Sequence, residues 1–179
     1  MTQRDLYLIG DIPGFTPQIS RLVSMMNYTR STTLRAVSGL AVDELDYQHD
    51  PHSNSIGALL LHIASAEVGY QAATFDVREL TAEETAQWSA AIHLGEGARG
   101  EIKGYGLDHY LGLLENVRAK TLKELGERDD QWLEEQATFG SGQRVNNYFK
   151  WFHVVTHEVN HSGQIRWLRS RATSGRLIS

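Results

Sequence analysis

Apolar residues recur along most of the chain at intervals of three and four, the spacing that lines one face of an α-helix. Ile19, Leu22, Val23, Met26, Thr33, Leu34 and Val37 make the first such stripe. Thr16-Pro17 before it supplies an N-cap and a first-turn proline, and Gly39 after it a stop. The stretch from Asp43 to Pro51 is polar and turn-like. Ser53 or Ser55 can cap a second helix, whose Ile56, Leu59, Leu60 and Ile63 share one face. A third helix is predicted from about Leu107, through Leu111, Leu114, Val117, Thr121, Leu122 and Leu125, to near Gly126. The fourth, from about Val145 to Ala172, has a different pattern. Its Val145, Tyr148, Phe149, Trp151, Phe152, Val155 and Val159 nearly encircle the axis, which predicts a helix central to the core.

The segment between the second and third helices is the least regular. Thr81 to Ala91 reads as a short helix, with Thr81 as cap and Glu84 as its capping-box partner. LGEGARGEIKGYGL follows, with five glycines from Gly95 to Gly106. They are not spaced as a phosphate-binding loop and no strand precedes them, which argues against a nucleotide site. A flexible, non-core excursion at about 76–106 is expected, within a single domain spanning 1–179. Residues 137–145 leave room for a short hairpin or a plain loop. No repeat and no convincing set of strands is present. Four long helices with apolar faces predict an all-α protein, a four-helix bundle.

Composition narrows the function classes. Hydrophobic residues make up 41% and charged residues 22%, and the formal charge is −5, which argues against nucleic acid or an acidic membrane as partner. Arg166, Arg169, Arg171 and Arg176 gather at the C-terminal end, where they suit the dipole of the last helix. There is no cysteine. Disulfides, thiolate metal ligands, a cysteine nucleophile and the usual iron–sulfur clusters are thereby excluded. MTQRDLYLIGDIPGF lacks the apolar core of a secretory signal, and no run reaches the roughly 18 apolar residues that span a bilayer. A soluble, cytoplasmic protein is expected.

The chain has eight histidines. His49, His52, His93 and His109 lie in polar or glycine-rich neighbourhoods and read as surface residues. His153, His157 and His161 stand four apart, one stripe up the last helix that continues to Gln164. His62 lies in the apolar run LLLHIAS of the second helix. Three imidazoles buried in a bundle without partners would each incur a penalty of roughly 2–7 kcal/mol. One divalent cation held by His62, His157 and His161 removes the penalty for all three. Neutral imidazole suits zinc, nickel, iron or cobalt, and three such ligands with an open position describe a catalytic rather than a closed structural site. His153 and Gln164 are placed beside the site.

THEVNH also contains His-Glu-x-x-His, the helical zinc signature of metalloproteases, with Glu158 in the position of the general base. The protease reading fails on the remainder of the chain. Only eighteen residues follow His161, and none is His, Asp or Glu, so no downstream third ligand exists. Glu158 is turned about 100° from His157 on the helix wheel and reads as solvated or next to the site.

With LLLHIASAE and HVVTHEVNHSGQIRWLR in view, the chain resembles the DinB/YfiT-like family of bacterial metal-dependent four-helix-bundle proteins over nearly its whole length. The features shared are a serine-capped second helix with a central histidine, Ser55 to His62, and a last helix of the form His-x-x-x-His-x-x-x-His-x-Gly-Gln, His153 to Gln164. The resemblance implies metal ligation by His62, His157 and His161, with Glu158 incidental. It also implies up-down-down-up connectivity, homodimers, and zinc or nickel as the metal. Several relatives are S-transferases or isomerases that use a low-molecular-weight thiol; others have no assigned reaction. A metal that binds a thiol stabilises its thiolate, and a chain without cysteine must import its sulfur nucleophile. The expected function is therefore transfer of a small-molecule thiol to an electrophile such as an epoxide, alkyl halide or activated alkene. Hydrolysis by metal-activated water, or a non-catalytic metal-binding role in the response to stress or DNA damage, remain open.

Overall fold

A computed structural model describes residues 5–139 and 142–172. In chain order the α-helices are α1 (Pro17–Val37), α2 (Val42–Leu45), α3 (Ile56–Thr74), α4 (Ala82–His93), α5 (Gly95–Glu101), α6 (Leu107–Gly126), α7 (Asp130–Glu134) and α8 (Asn147–Ala172). A 3-10 turn at Asp5–Tyr7 precedes them. The antiparallel hairpin β1 (Gln136–Phe139) and β2 (Gln143–Asn146) pairs Gln136 with Asn146 and runs straight into α8. Val145 therefore lies within a strand instead of starting the last helix. Arg176 lies outside the described residues.

The four long helices form the bundle, and named contacts fix their directions. Arg169 near the end of α8 hydrogen-bonds to the carbonyls of Ala36 and Ser38 at the end of α1, so these two helices run the same way. Trp151 at the start of α8 donates to Thr74 at the end of α3, which makes that pair antiparallel. Gln71 late in α3 donates to Val117 O and Thr121 Oγ1 late in α6, so α3 and α6 are parallel. The order along the chain is up, down, down, up. α8 packs against both α1 and α3.

Two apolar clusters fill the interior. One holds Val37, Leu45, Ile56, Leu60, Ile63, Tyr110, Leu114 and Ile165. The other holds Ile19, Leu22, Met26, Phe75, Leu125, Trp132, Leu133 and Trp151, with the Phe75 ring stacked on both Trp132 and Trp151. On each bundle helix a buried charged residue separates the two: Arg30, Glu67, Arg118 and Glu158.

Three expectations change. First, residues 76–106 are not outside the core. α4 begins with the expected capping box, in which Glu84 N donates to Thr81 Oγ1 and Glu84 Oε2 accepts from Thr81 N. Trp88 and Ala91 of α4, Ala98 of α5 and Ile102 then join the first apolar cluster. The glycines are compatible with helix here because burial of Ala98 and Ile102 offsets their entropic cost. Second, α8 is not buried all round. Trp151 is fully buried, but Phe149, Phe152, Val159 and Trp167 are each more than 40% exposed. A helix at the rim of a four-helix ring has neighbours on two sides only. Third, the Thr16 side chain does not cap α1. The Asp130 carboxylate does so, accepting from Gln18 N, Ile19 N and the Thr16 hydroxyl. An acid from α7 thereby satisfies orphan donors of α1.

Close approach dictates one glycine. A Cβ on Gly57 would overlap the Tyr110 hydroxyl and lie 2.7 Å from Tyr110 Cζ. The Tyr110 ring is fully buried and cannot swing away. Gly57→Ala is expected to lower stability by about 1–3 kcal/mol, the usual effect of overpacking, measurable by urea unfolding.

Candidate metal centre

His62 comes from α3, and His157 and His161 from successive turns of α8, so the antiparallel crossing of these two helices sets the site. All three imidazoles are half-buried. His157 Nε2 lies 3.1 Å from His62 Nε2 and 3.2 Å from His161 Nε2. The three can each offer one ligand atom to a common point, with all such atoms within 4.8 Å of one another.

Hydrogen bonds on the far sides of two rings decide which nitrogens are available. His62 Nδ1 is 2.7 Å from Ala91 O. A carbonyl only accepts, so Nδ1 carries the proton and Nε2 of the neutral ring is left with a lone pair. His161 Nδ1 donates likewise to Gln164 Oε1 at 2.9 Å, leaving its Nε2 bare. Burial, then the nearby His161, His62 and His153, push the His157 imidazole down from 6.5 to about 3, so at neutral pH it is uncharged. Burial also lowers His161, against the opposing effect of Gln164. A single His157 proton can point at one of its two neighbours and leaves the other lone pair facing it. A cation between the three satisfies them all. Zinc–nitrogen bonds of about 2.0–2.1 Å put tetrahedrally arranged nitrogens roughly 3.3 Å apart, close to the 3.1 and 3.2 Å from His157 to its two neighbours. The donor set fits a divalent ion.

His153 and Gln164 have separate positions. Gln164 orients His161 directly. The exposed His153 ring lies 6.0 Å from His157 and stacks on Phe149, with Tyr70 on another side, and is not one of the three. Groups that fix a ligand histidine typically change metal affinity about 10–100-fold when lost. Gln164→Ala is expected to weaken zinc binding by that order in a competition titration, and His153→Ala to leave it near the wild-type value.

Glu158 is neither solvated nor beside the site. It is 1% exposed and turned into the bundle, where Oε1 accepts from Arg30 Nε at 2.8 Å and Oε2 from Arg118 Nη2 at 3.1 Å. Glu67 of α3 meets the same two guanidiniums, at 2.8 Å from Arg118 Nε and 3.2 Å from Arg30 Nη2. Thr121 adds a hydrogen bond to Glu67 at 2.6 Å. Burial alone would raise the Glu67 carboxyl, yet Arg118 and Arg30 hold it below its ordinary value. With its carboxylate fully engaged, Glu158 cannot serve as a protease base.

Sequence reasoning missed this quartet and the role of Ala91. A signal for the quartet existed, since Arg30 falls between Met26 and Thr33, and Arg118 between Leu114 and Thr121, on the buried stripes. Ala91 carried none, because its contribution is a backbone carbonyl.

Beside the histidines is a cleft of about 530 Å³, lined among others by His52, Asn54, Leu59, Asn160, Gln164 and Trp167. Among the described residues no acidic side chain, lysine or arginine lines it. Gln164 belongs to both the cleft and the histidine cluster.

A family model described as mycothiol-S-transferase matches residues 21–174. The chain belongs to this family. It is a DinB/YfiT-like family, in agreement with the resemblance drawn from His62 and the last helix. No curated protein matches the chain. Membership in the mycothiol-S-transferase family points to a role of the thiol S-transferase kind, with a small-molecule thiol as substrate. Among the described residues no helix is long and apolar enough to cross a membrane.

Proposed function

We propose that the protein is a metal-dependent thiol S-transferase whose divalent cation, zinc or nickel, is held by His62, His157 and His161. One observation carries the reading: three Nε2 atoms converge, and on the far side of two of these rings Nδ1 meets an acceptor, Ala91 O or Gln164 Oε1. A divalent cation bound there would favour the thiolate form of a substrate thiol. The chain's own groups supply the rest. Ala91 and Gln164 hold two imidazoles in the ligating tautomer. The cleft beside Gln164 receives the body of the thiol, with amide and imidazole groups for hydrogen bonding and Leu59 and Trp167 as apolar wall. The quartet keeps Glu158 away from the reaction. Because the chain has no cysteine, the sulfur comes from the substrate. The thiol gives its proton to solvent, sulfur bonds to the electrophilic carbon, and that carbon's bond to its leaving group breaks, the leaving group departing with the electron pair.

Low-molecular-weight thiols, mycothiol included, assayed with monochlorobimane before and after chelator test the proposal. Turnover that chelator abolishes and zinc or nickel restores is expected. Absent or chelator-insensitive turnover across the panel would overturn it, and turnover of esters or amides instead would favour hydrolysis. We further propose a cytoplasmic homodimer. The exposed Tyr28, Phe152 and Val159 offer an apolar face on α1 and α8 for a second copy. Sedimentation equilibrium should then give about twice 20.1 kDa.

A further inference from the structure

The geometry points to the buried quartet as the device that positions the metal ligands: Arg30 and Arg118 clamp α3 to α8 at the spacing the three histidines require. The inference rests on the metal reading above and goes beyond it. His62 and Glu67 are on α3; His157, Glu158 and His161 are on α8. The site closes only if these two helices keep one separation and one register. At the level of the histidines, nothing but the imidazoles themselves bridges the two helices through polar groups among the described residues. The quartet provides the bridge. Arg118 Nη2 is 3.1 Å from both Glu67 Oε2 and Glu158 Oε2, and Arg30 Nη2 is 3.2 Å and 3.3 Å from the same two oxygens.

Each guanidinium is itself anchored to the backbone of a helix that carries no ligand. Arg30 of α1 donates to Leu114 O of α6 at 2.9 Å, and Arg118 of α6 to Met26 O of α1 at 3.1 Å. The two cations are therefore tied to the α1–α6 pair and present a fixed fork to the α3–α8 pair. Planar, bidentate guanidinium–carboxylate pairs set geometry as well as charge. Glu158 follows His157 directly, so a shift of its carboxylate moves the ligand with it. Trp151–Thr74, at the opposite end of α3, fixes the same pair of helices about three turns away. Charges within the quartet cancel, two cations against two carboxylates, so it presents no net repulsion to a dication.

The charge balance supplies the test. If the quartet acts by its field alone, Glu158→Gln leaves excess positive charge and weakens zinc binding, while Arg118→Gln leaves excess negative charge and strengthens it. If it acts by position, both weaken it. Zinc affinity by competition with a chromophoric chelator, and the visible spectrum of the cobalt-substituted protein, should be recorded for both variants. Arg118→Lys, which keeps the charge but not the fork, and Glu67→Asp serve as milder variants should either fail to fold. Leu133→Ala, in the other apolar cluster, controls for lost stability. The expected result is weakening of about tenfold or more in every quartet variant. It should come with an altered cobalt spectrum, while Leu133→Ala keeps wild-type affinity and spectrum. Opposite signs for the Glu and Arg variants, or affinities within twofold of Leu133→Ala, would overturn the inference. Wild-type protein that binds zinc no better than His157→Ala would instead remove the metal reading itself.

Discussion

His157→Ala protein, purified without added metal, is expected to contain almost no zinc or nickel where the wild type contains one ion per chain. Of the three histidines His157 is the central one, with its Nε2 within 3.2 Å of both partners. Its removal leaves His62 and His161 without the nitrogen that joins them. Elemental analysis of both proteins, before and after dialysis against zinc, measures this directly. Equal stoichiometry in the two would refute the assignment. The same imidazole gives the metal-free protein a pH dependence. Burial chiefly, then His161 and His62, hold His157 at about 3, against 6.5 for the free side chain. Between those values the unfolded chain takes up a proton that the folded protein refuses. This contribution to stability is complete above about 6.5 and is lost as the pH falls towards 3. His161, lowered in the same direction, adds to it. Chelator-treated protein should therefore show a urea midpoint that declines with acidification through this window. A flat midpoint there would contradict the neutral, buried cluster.

Arg118→Met is expected to produce the largest loss of stability. Arg118 is 7% exposed and compensates two carboxylates that are 0% and 1% exposed. Without it, Glu67 loses its bidentate partner and Glu158 one of two, inside the bundle. Removing one partner of a buried ion pair typically costs about 3–5 kcal/mol, because the abandoned charge has no water to turn to. For a chain of this size that corresponds to a melting temperature lower by on the order of 10 °C. Thermal and urea unfolding at neutral pH measure it. The partly exposed pair Arg128–Glu124, four residues apart where α6 ends, provides the contrast. Glu124→Gln should change stability by less than about 1 kcal/mol.

The bundle itself was legible in the sequence because a helix announces its buried face locally. The stripes Ile19–Val37, Ile56–Ile63 and Leu107–Leu125 need only the 3.6-residue period, and Ser55 marks the start of the second, as Thr81 and Glu84 mark that of α4, through hydrogen bonds made within three residues. The histidines were legible for a related reason. His157 and His161 share a turn, and His62 is conspicuous in an apolar run. Charge, the missing cysteines and the failed protease motif then limited the chemistry without reference to any distant contact.

What the sequence could not supply depends on residues far apart in the chain. Asp130 caps α1 from more than a hundred residues away, and Ala91 orients His62 from a helix whose place against α3 no local pattern shows. Glu158 illustrates the division best. Its neighbours made it look like a catalytic base, and only the packing of four helices shows it committed to Arg30 and Arg118. Exposure of Phe149, Phe152 and Val159 likewise follows from where α8 stands in the ring. Periodicity reports which residues share a face. Which face meets water, which meets a neighbouring helix, and which charge finds a partner are decided only when the helices come together.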